Sequence, residues 1–168
     1  MRNVIIFGHK QHGKDTACEY LQSQFGVRFI SSSFFACQKF LFEQMRGEHG
    51  YETIEQCFAD RISHRKYWYE AIRDYNTPNK IKLGSQLFAE YDIYCGIRDL
   101  EEFEALKAAG LVKLSIFIDA SGRLEKESSE SMKLDIEHAD VIITNNGTLE
   151  QFHTKLNRLF QMLIAETT

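Results

Sequence analysis

The sequence has a single proline in 168 residues and no apolar run near the ~18 residues that cross a bilayer. The first absence excludes a proline-rich linker, and the second argues against a membrane partner. Its four cysteines, Cys18, Cys37, Cys57 and Cys95, form no C-x-x-C pair, which argues against structural zinc. The chain runs almost directly into an apolar segment, so a signal peptide is not expected and a cytoplasmic setting is. In that setting the cysteines read as reduced, at least partly buried thiols. A net charge of −4 argues against broad non-specific affinity for nucleic acid, while leaving room for a local basic patch. No internal repeat is visible. A hydrophobic content of 43% is enough for the core of one domain spanning residues 1–168.

What is present is concentrated near the start. Val4, Ile5, Ile6 and Phe7 form a short continuous apolar run, as in a strand buried on both faces. Gly8, His9, Lys10, Gln11, His12, Gly13, Lys14, Asp15 and Thr16 follow, and residues 15–24 read as an amphipathic helix. Strand, G-x-x-x-x-G-K, then helix is the context of a phosphate-binding loop. Glycines let backbone N–H groups curl around phosphate oxygens, the helix N-terminus adds partial positive charge, and Lys14 adds a full one. Asp15 stands where Ser or Thr normally ligates Mg²⁺.

Residues 27–30 read as a second strand, with Ser31, Ser32 and Ser33 at its end. Ligands in such sheets gather beyond strand C-termini, so these serines either bind an acceptor or cap the next helix. Residues 34–45 form a helix with a wide aromatic face, and residues 46–52 a polar loop. Thr53 and Gln56 have capping-box spacing. Residues 55–75 are the densest in charge and aromatics. On one helix, Arg61 and Arg65 share a face, as do Asp60 and His64. The arginines suit phosphates of donor or acceptor. Asp60 is the candidate general base, oriented by Arg61 or His64. Tyr67, Trp68, Tyr69 and Tyr75 offer stacking surfaces, and a surface helix laced with ion pairs is the alternative.

Thr77-Pro78 starts a helix reaching about residue 90, and residues 93–95 form a third strand. Arg98, just beyond it, is placed to meet phosphates. Asp99 caps a helix closed by Gly110. Residues 113–119 form a fourth strand. Residues 120–132 lack periodicity and hold Arg123, in the position of a lid whose arginine neutralises charge; an idle surface loop is the alternative. Residues 134–139 make a helical turn, 141–143 a fifth buried strand, and Asn145, Asn146 and Gly147 a tight turn. A terminal helix over residues 148–165 carries Leu149, Phe152, Leu156, Leu159, Phe160 and Leu163 on one stripe.

Residues 8–16, with Gly13-Lys14-Asp15-Thr16, resemble the P-loop of phage deoxynucleoside monophosphate kinases. Residues 139–149 resemble the C-terminal strand and adenine loop of that group and of dephospho-CoA kinases. Gly96-Ile97-Arg98 and residues 118–123 look like the third-strand and lid arginines of a compact phage branch, which includes kinases of 5-hydroxymethyluracil in DNA. The resemblance covers roughly the whole chain. It implies an α/β, three-layer P-loop NTPase fold, with a five-stranded, mostly parallel sheet and helices on both faces. An acceptor-side helical insertion spans about residues 34–90. ATP is the implied donor, with Mg²⁺ at Asp15 and adenine at residues 145–147. Lys14, Arg98 and Arg123 are the implied charge-stabilising groups. The implied acceptor is the hydroxymethyl group of 5-hydroxymethyldeoxyuridine in phage DNA, in the host cytoplasm, met by Ser33, Arg61, His64 and Arg65. A kinase of free deoxynucleoside monophosphates and a non-catalytic nucleotide-binding module are the alternatives. Two departures bear on the acceptor: serines follow the second strand where dephospho-CoA kinases carry an acid, and Gly96 stands where the larger phage kinases carry Asp.

Overall fold

A computed structural model describes residues 2–129 and 132–165. Its centre is β1 (Val4–Phe7), flanked by β3 (Ile93–Cys95) and β4 (Leu114–Asp119); β2 (Phe29–Ser31) and β5 (Val141–Thr144) form the edges. The order is β2-β3-β1-β4-β5 and every pairing is parallel, with Val4 level with both Ile93 and Leu114.

Alternation along β1 divides the core into two layers. Val4 and Ile6 face α1 (Lys14–Phe25) and α8 (Leu149–Ala165), where Leu21, Phe152, Leu156 and Phe160 are fully enclosed. Each such side chain contributes roughly 1.5–3 kcal/mol when taken from water. Ile5 and Phe7 face the opposite way, into a larger aromatic layer with Phe35, Phe103 and Phe117. That layer is roofed by the segments between β2 and β3, and by α7 (Leu100–Ala108). The central strand is therefore dry on both faces, as its unbroken apolar run predicts.

Several boundaries differ from the sequence reading. After β2 the chain is helical from Ser32 through His49: α2 (Ser32–Ala36), a π-helical turn (Cys37–Leu41) and α3 (Phe42–His49). The polar loop expected at residues 46–52 is thus mostly helix, ended only at Gly50 in the left-handed conformation. Residues 55–75 are not one helix. The Thr53 capping box opens α4 (Ile54–Ala59), a 3₁₀ turn follows (Asp60–Ile62), and α5 (Arg65–Tyr75) begins after a break at His64. The expected start at Thr77-Pro78 is also displaced, since α6 covers Lys82–Glu90. The side chains of Asn76 and Asn79 accept from the backbone of Leu83 and Ile81, holding a turn where a helix would otherwise begin.

β5 is an edge strand rather than a fully buried one. Ile143 is buried, but Ile142 on its other face is 47% exposed. Leu149 is likewise exposed at the start of α8, outside the buried stripe. All four cysteines are buried free thiols. No helix among the described residues is long and apolar enough to cross a membrane.

Candidate active site

The loop of residues 8–16 leaves the C-terminal end of β1 and turns into α1. Its path needs positive φ at Gly8 (149°), Gln11 (63°) and Gly13 (103°). Side chains have no room at two of these points. A Cβ on Gly8 would lie 2.5 Å from the Ile118 carbonyl oxygen, and one on Gly13 would lie 2.5 Å from Asn145 Nδ2. The glycines thus allow both the turn and the close approach of β4 and the β5 loop.

Inside this turn Lys14 folds back so that Nζ donates to the His9 carbonyl at 3.3 Å. A Cβ on Gly96, at the end of β3, would meet the Lys14 stem at 3.6 Å. The lysine stem thus passes beside the residue that follows β3. Asp15 is exposed on the first turn of α1, its Oδ1 accepting from the Cys95 thiol at 3.5 Å.

His12 is fully buried, and its ring links three segments. Nδ1 accepts from the Ala120 amide at 3.0 Å, which leaves Nε2 to donate to the Glu125 carbonyl at 3.2 Å. The His12 carbonyl accepts from Asn145 Nδ2 at 2.9 Å. Asn145 is thus a buried brace between β5 and the P-loop. Asn146 Oδ1 accepts from Gly122 at 3.0 Å, and Gly147 starts the approach to α8. Arg123 Nε donates to the Asn145 carbonyl at 2.7 Å, which places this arginine against the expected adenine loop.

The segment after Arg123 lies on the P-loop. Glu127 Oε2 accepts from the Lys10 amide at 2.6 Å, and Oε1 accepts from Arg98 Nη1 at 3.0 Å. The Glu127 amide donates to His9 Nδ1 at 3.2 Å. Burial raises the pKa of this carboxyl, but Arg98, the Lys10 amide and Lys14 outweigh it and hold the group below the usual carboxylate range. His9 is nearly enclosed, and burial followed by the proximity of His12 lowers its pKa. Its Nε2 has no hydrogen-bond partner among the described residues. Beside it a cavity of about 410 Å³ is lined by His9, Leu100, Lys133 and Leu134.

The expected acceptor side is assembled differently from the sequence reading. Ser31 caps α2 through the Phe34 amide, Ser32 donates to the Gly96 carbonyl at 3.2 Å, and Ser33 is half-buried in the first turn of α2. Asp60 and His64 do pair, at 3.2 Å, but Asp60 also accepts from Tyr51 at 2.5 Å. That phenol, with Ser63, depresses the Asp60 pKa, a direction that weakens it as a base. Arg61 and Arg65 do not share a helix face, because the chain breaks between them. Arg61 lies 4.0 Å over the Phe58 ring and donates to the Phe58 carbonyl, whereas Arg65 opens α5 on the exposed side. Trp68 is buried, and Tyr75 stacks on Phe40 at 4.2 Å, so these two aromatics are packing groups. Tyr67 and Tyr69 are exposed.

Sequence reasoning missed two features. Glu127 was undistinguished among the glutamates of an aperiodic segment. The other is a buried polar cluster in which Tyr94 donates to Glu102 at 3.0 Å, beneath the end of β3. Burial pushes the Glu102 carboxyl up to about 7. Its only sequence signal is an acid three residues after a capping Asp, which reads equally well as a helix-dipole residue.

No family model matches the chain, and no curated protein matches it by sequence. Among solved structures, it is similar to a shikimate kinase from Bacteroides thetaiotaomicron, with a TM-score of 0.51 at 9% identity over 96% of this chain and 98% of that one. A shikimate kinase from Aquifex aeolicus gives 0.45 at 17% identity over 96% of each chain. A gluconokinase from Sinorhizobium meliloti gives 0.47 at 14% identity over 99% of this chain and 98% of that one. The latter two likenesses are too slight to argue from. The first, with the all-parallel sheet order and the strand-loop-helix at its centre, gives the architecture: a three-layer P-loop NTPase fold.

Proposed function

We propose that this protein is an ATP-dependent phosphotransferase that binds its donor's phosphates on residues 8–16. One observation carries the reading: a P-loop amide (Lys10) and the arginine beyond β3 (Arg98) converge on a single carboxylate. Groups that jointly hold a carboxylate between a backbone N–H and a guanidinium also suit a phosphoryl group. Lys14 adds a third positive element beside them. In such a site catalysis comes from positioning and from charge that meets the transferring group, with little covalent work for the protein.

The donor set fits Mg²⁺. Asp15 offers an exposed oxygen at the start of α1, and no cluster of three or more His, Cys, Asp or Glu among the described residues could cage a metal. Mg²⁺ in phosphoryl-transfer sites is typically held by one or two carboxylates together with substrate phosphates. Asp15 would hold the ion, with Thr16 next to it, and the bound ion would neutralise charge on the donor phosphates. Asn145 keeps the loop in shape, and Arg123 flanks the turn proposed to receive the base.

For the acceptor, resemblance favours 5-hydroxymethyldeoxyuridine in DNA, and one observation favours the second reading, a free deoxynucleoside monophosphate. Four of the six cations that would make a DNA-binding face have an acidic neighbour: Lys39 pairs with Glu90, Arg46 with Glu43, Lys66 with Glu70 and Arg73 with Asp74, whereas Arg61 and Arg65 are in none of these pairs. A duplex needs several uncompensated cations to release counterions, whereas a monophosphate needs one or two. We therefore place the free monophosphate first. The test is transfer of labelled γ-phosphate from ATP to a monophosphate panel and, in parallel, to hydroxymethylated DNA. Labelled nucleoside diphosphate supports this choice, and labelled DNA alone restores the DNA acceptor. Label in neither, despite ATP binding, supports the non-catalytic module.

A further inference from the structure

The contacts of residues 125–127 on the P-loop have a consequence for how the site is filled. Four hydrogen bonds join the two segments or bridge them to the residues after β3: His12 Nε2 to the Glu125 carbonyl, the Glu127 amide to His9 Nδ1, the Lys10 amide to Glu127 Oε2, and Arg98 to Glu127 Oε1. Both carboxylate oxygens are thus taken by donors of the kind that bind phosphate. The Glu127 side chain is only 18% exposed, although the residues on either side of it are exposed.

We propose that Glu127 is an internal occupant of the phosphate site, a carboxylate strap that a polyphosphate must displace before it can bind. The inference rests on the reading of residues 8–16 as a phosphate site. Two anionic groups cannot share the Lys10 amide and the Arg98 guanidinium, because each would be desolvated beside the other. Binding is therefore an exchange: Glu127 leaves, phosphate oxygens take its donors, and His9 Nδ1 loses the Glu127 amide. The strap lowers the apparent affinity by the fraction of molecules in which it is seated, and it keeps the site neutralised when no donor is present.

The experiment is calorimetric titration of wild type, Glu127→Gln and Glu127→Ala with inorganic tripolyphosphate and with Mg·ATP. Without the competing charge, both variants should bind tripolyphosphate more tightly, with Kd lower by about tenfold. Limited trypsin digestion of wild type gives an independent readout. Displacing the strap should speed cleavage after Lys126, an exposed residue next to Glu127, when tripolyphosphate is added. If wild type binds and the variants bind no tighter, or if ligand leaves cleavage after Lys126 unchanged, the strap is overturned while the phosphate site stands. Absence of tripolyphosphate and ATP binding in all three proteins would overturn both.

Discussion

The side-chain amide of Asn145 donates to the His12 carbonyl at 2.9 Å, across 133 residues of sequence. The loop after the edge strand β5 thus holds the P-loop that leaves the central strand β1. Asn145 is buried, and Gly13 lies so close to it that any Cβ there would touch its Nδ2.

Replacing Asn145 with Ala should therefore leave the His12 carbonyl unsatisfied and cost about 1–3 kcal/mol of stability. Nucleotide affinity should fall with it, because the loop loses its brace. Asn146→Ala, at an exposed position, should cost less on both counts. Urea unfolding and nucleotide titration of the two variants check this.

Glu102 makes stability depend on pH. Its folded pKa, pushed up to about 7 from 4.5 by burial, means that the folded state holds a proton which the unfolded chain releases at lower pH. The stabilisation is full below the unfolded value and is lost as pH rises through the folded one. Unfolding free energy should thus fall by about 3 kcal/mol between pH ~4.5 and ~7 from this group. Glu102→Gln keeps the shape and an oxygen for Tyr94, and should flatten that part of the profile.

Asp15 is the group proposed to hold Mg²⁺. Asp15→Asn should raise the Mg²⁺ concentration for half-maximal activity several-fold, with metal-free nucleotide binding changed much less. Superimposable Mg²⁺ titrations would instead leave Asp15 the role of a first-turn acid favoured by the helix dipole.

Where the signal is local, the sequence is readable. The run Val4-Ile5-Ile6-Phe7, the glycines at 8 and 13 and the helix after them form a contiguous pattern, and the structure follows it. The Thr53 capping box and the Asp99 cap were legible for the same reason. Readings failed where a tertiary contact or a local side-chain bond decided the outcome. The break at His64 separates Arg61 from Arg65, although spacing alone puts them together. Asn76 and Asn79 hold a turn that Thr77-Pro78 was expected to convert into a helix start. The Glu127–Lys10 contact spans 117 residues and comes from a segment without periodicity, so nothing nearby marks that glutamate out.

The most direct test of the central claim, phosphotransfer from ATP at residues 8–16, is γ-phosphate transfer by Lys14→Ala beside wild type, with folding verified by thermal melting. Lys14 packs along the loop and donates only to the His9 carbonyl among the described hydrogen bonds, so its loss should leave the fold intact. The account predicts a fall in turnover of roughly 100-fold or more, since the lysine meets charge that develops during transfer. A folded Lys14→Ala protein with wild-type turnover would contradict it.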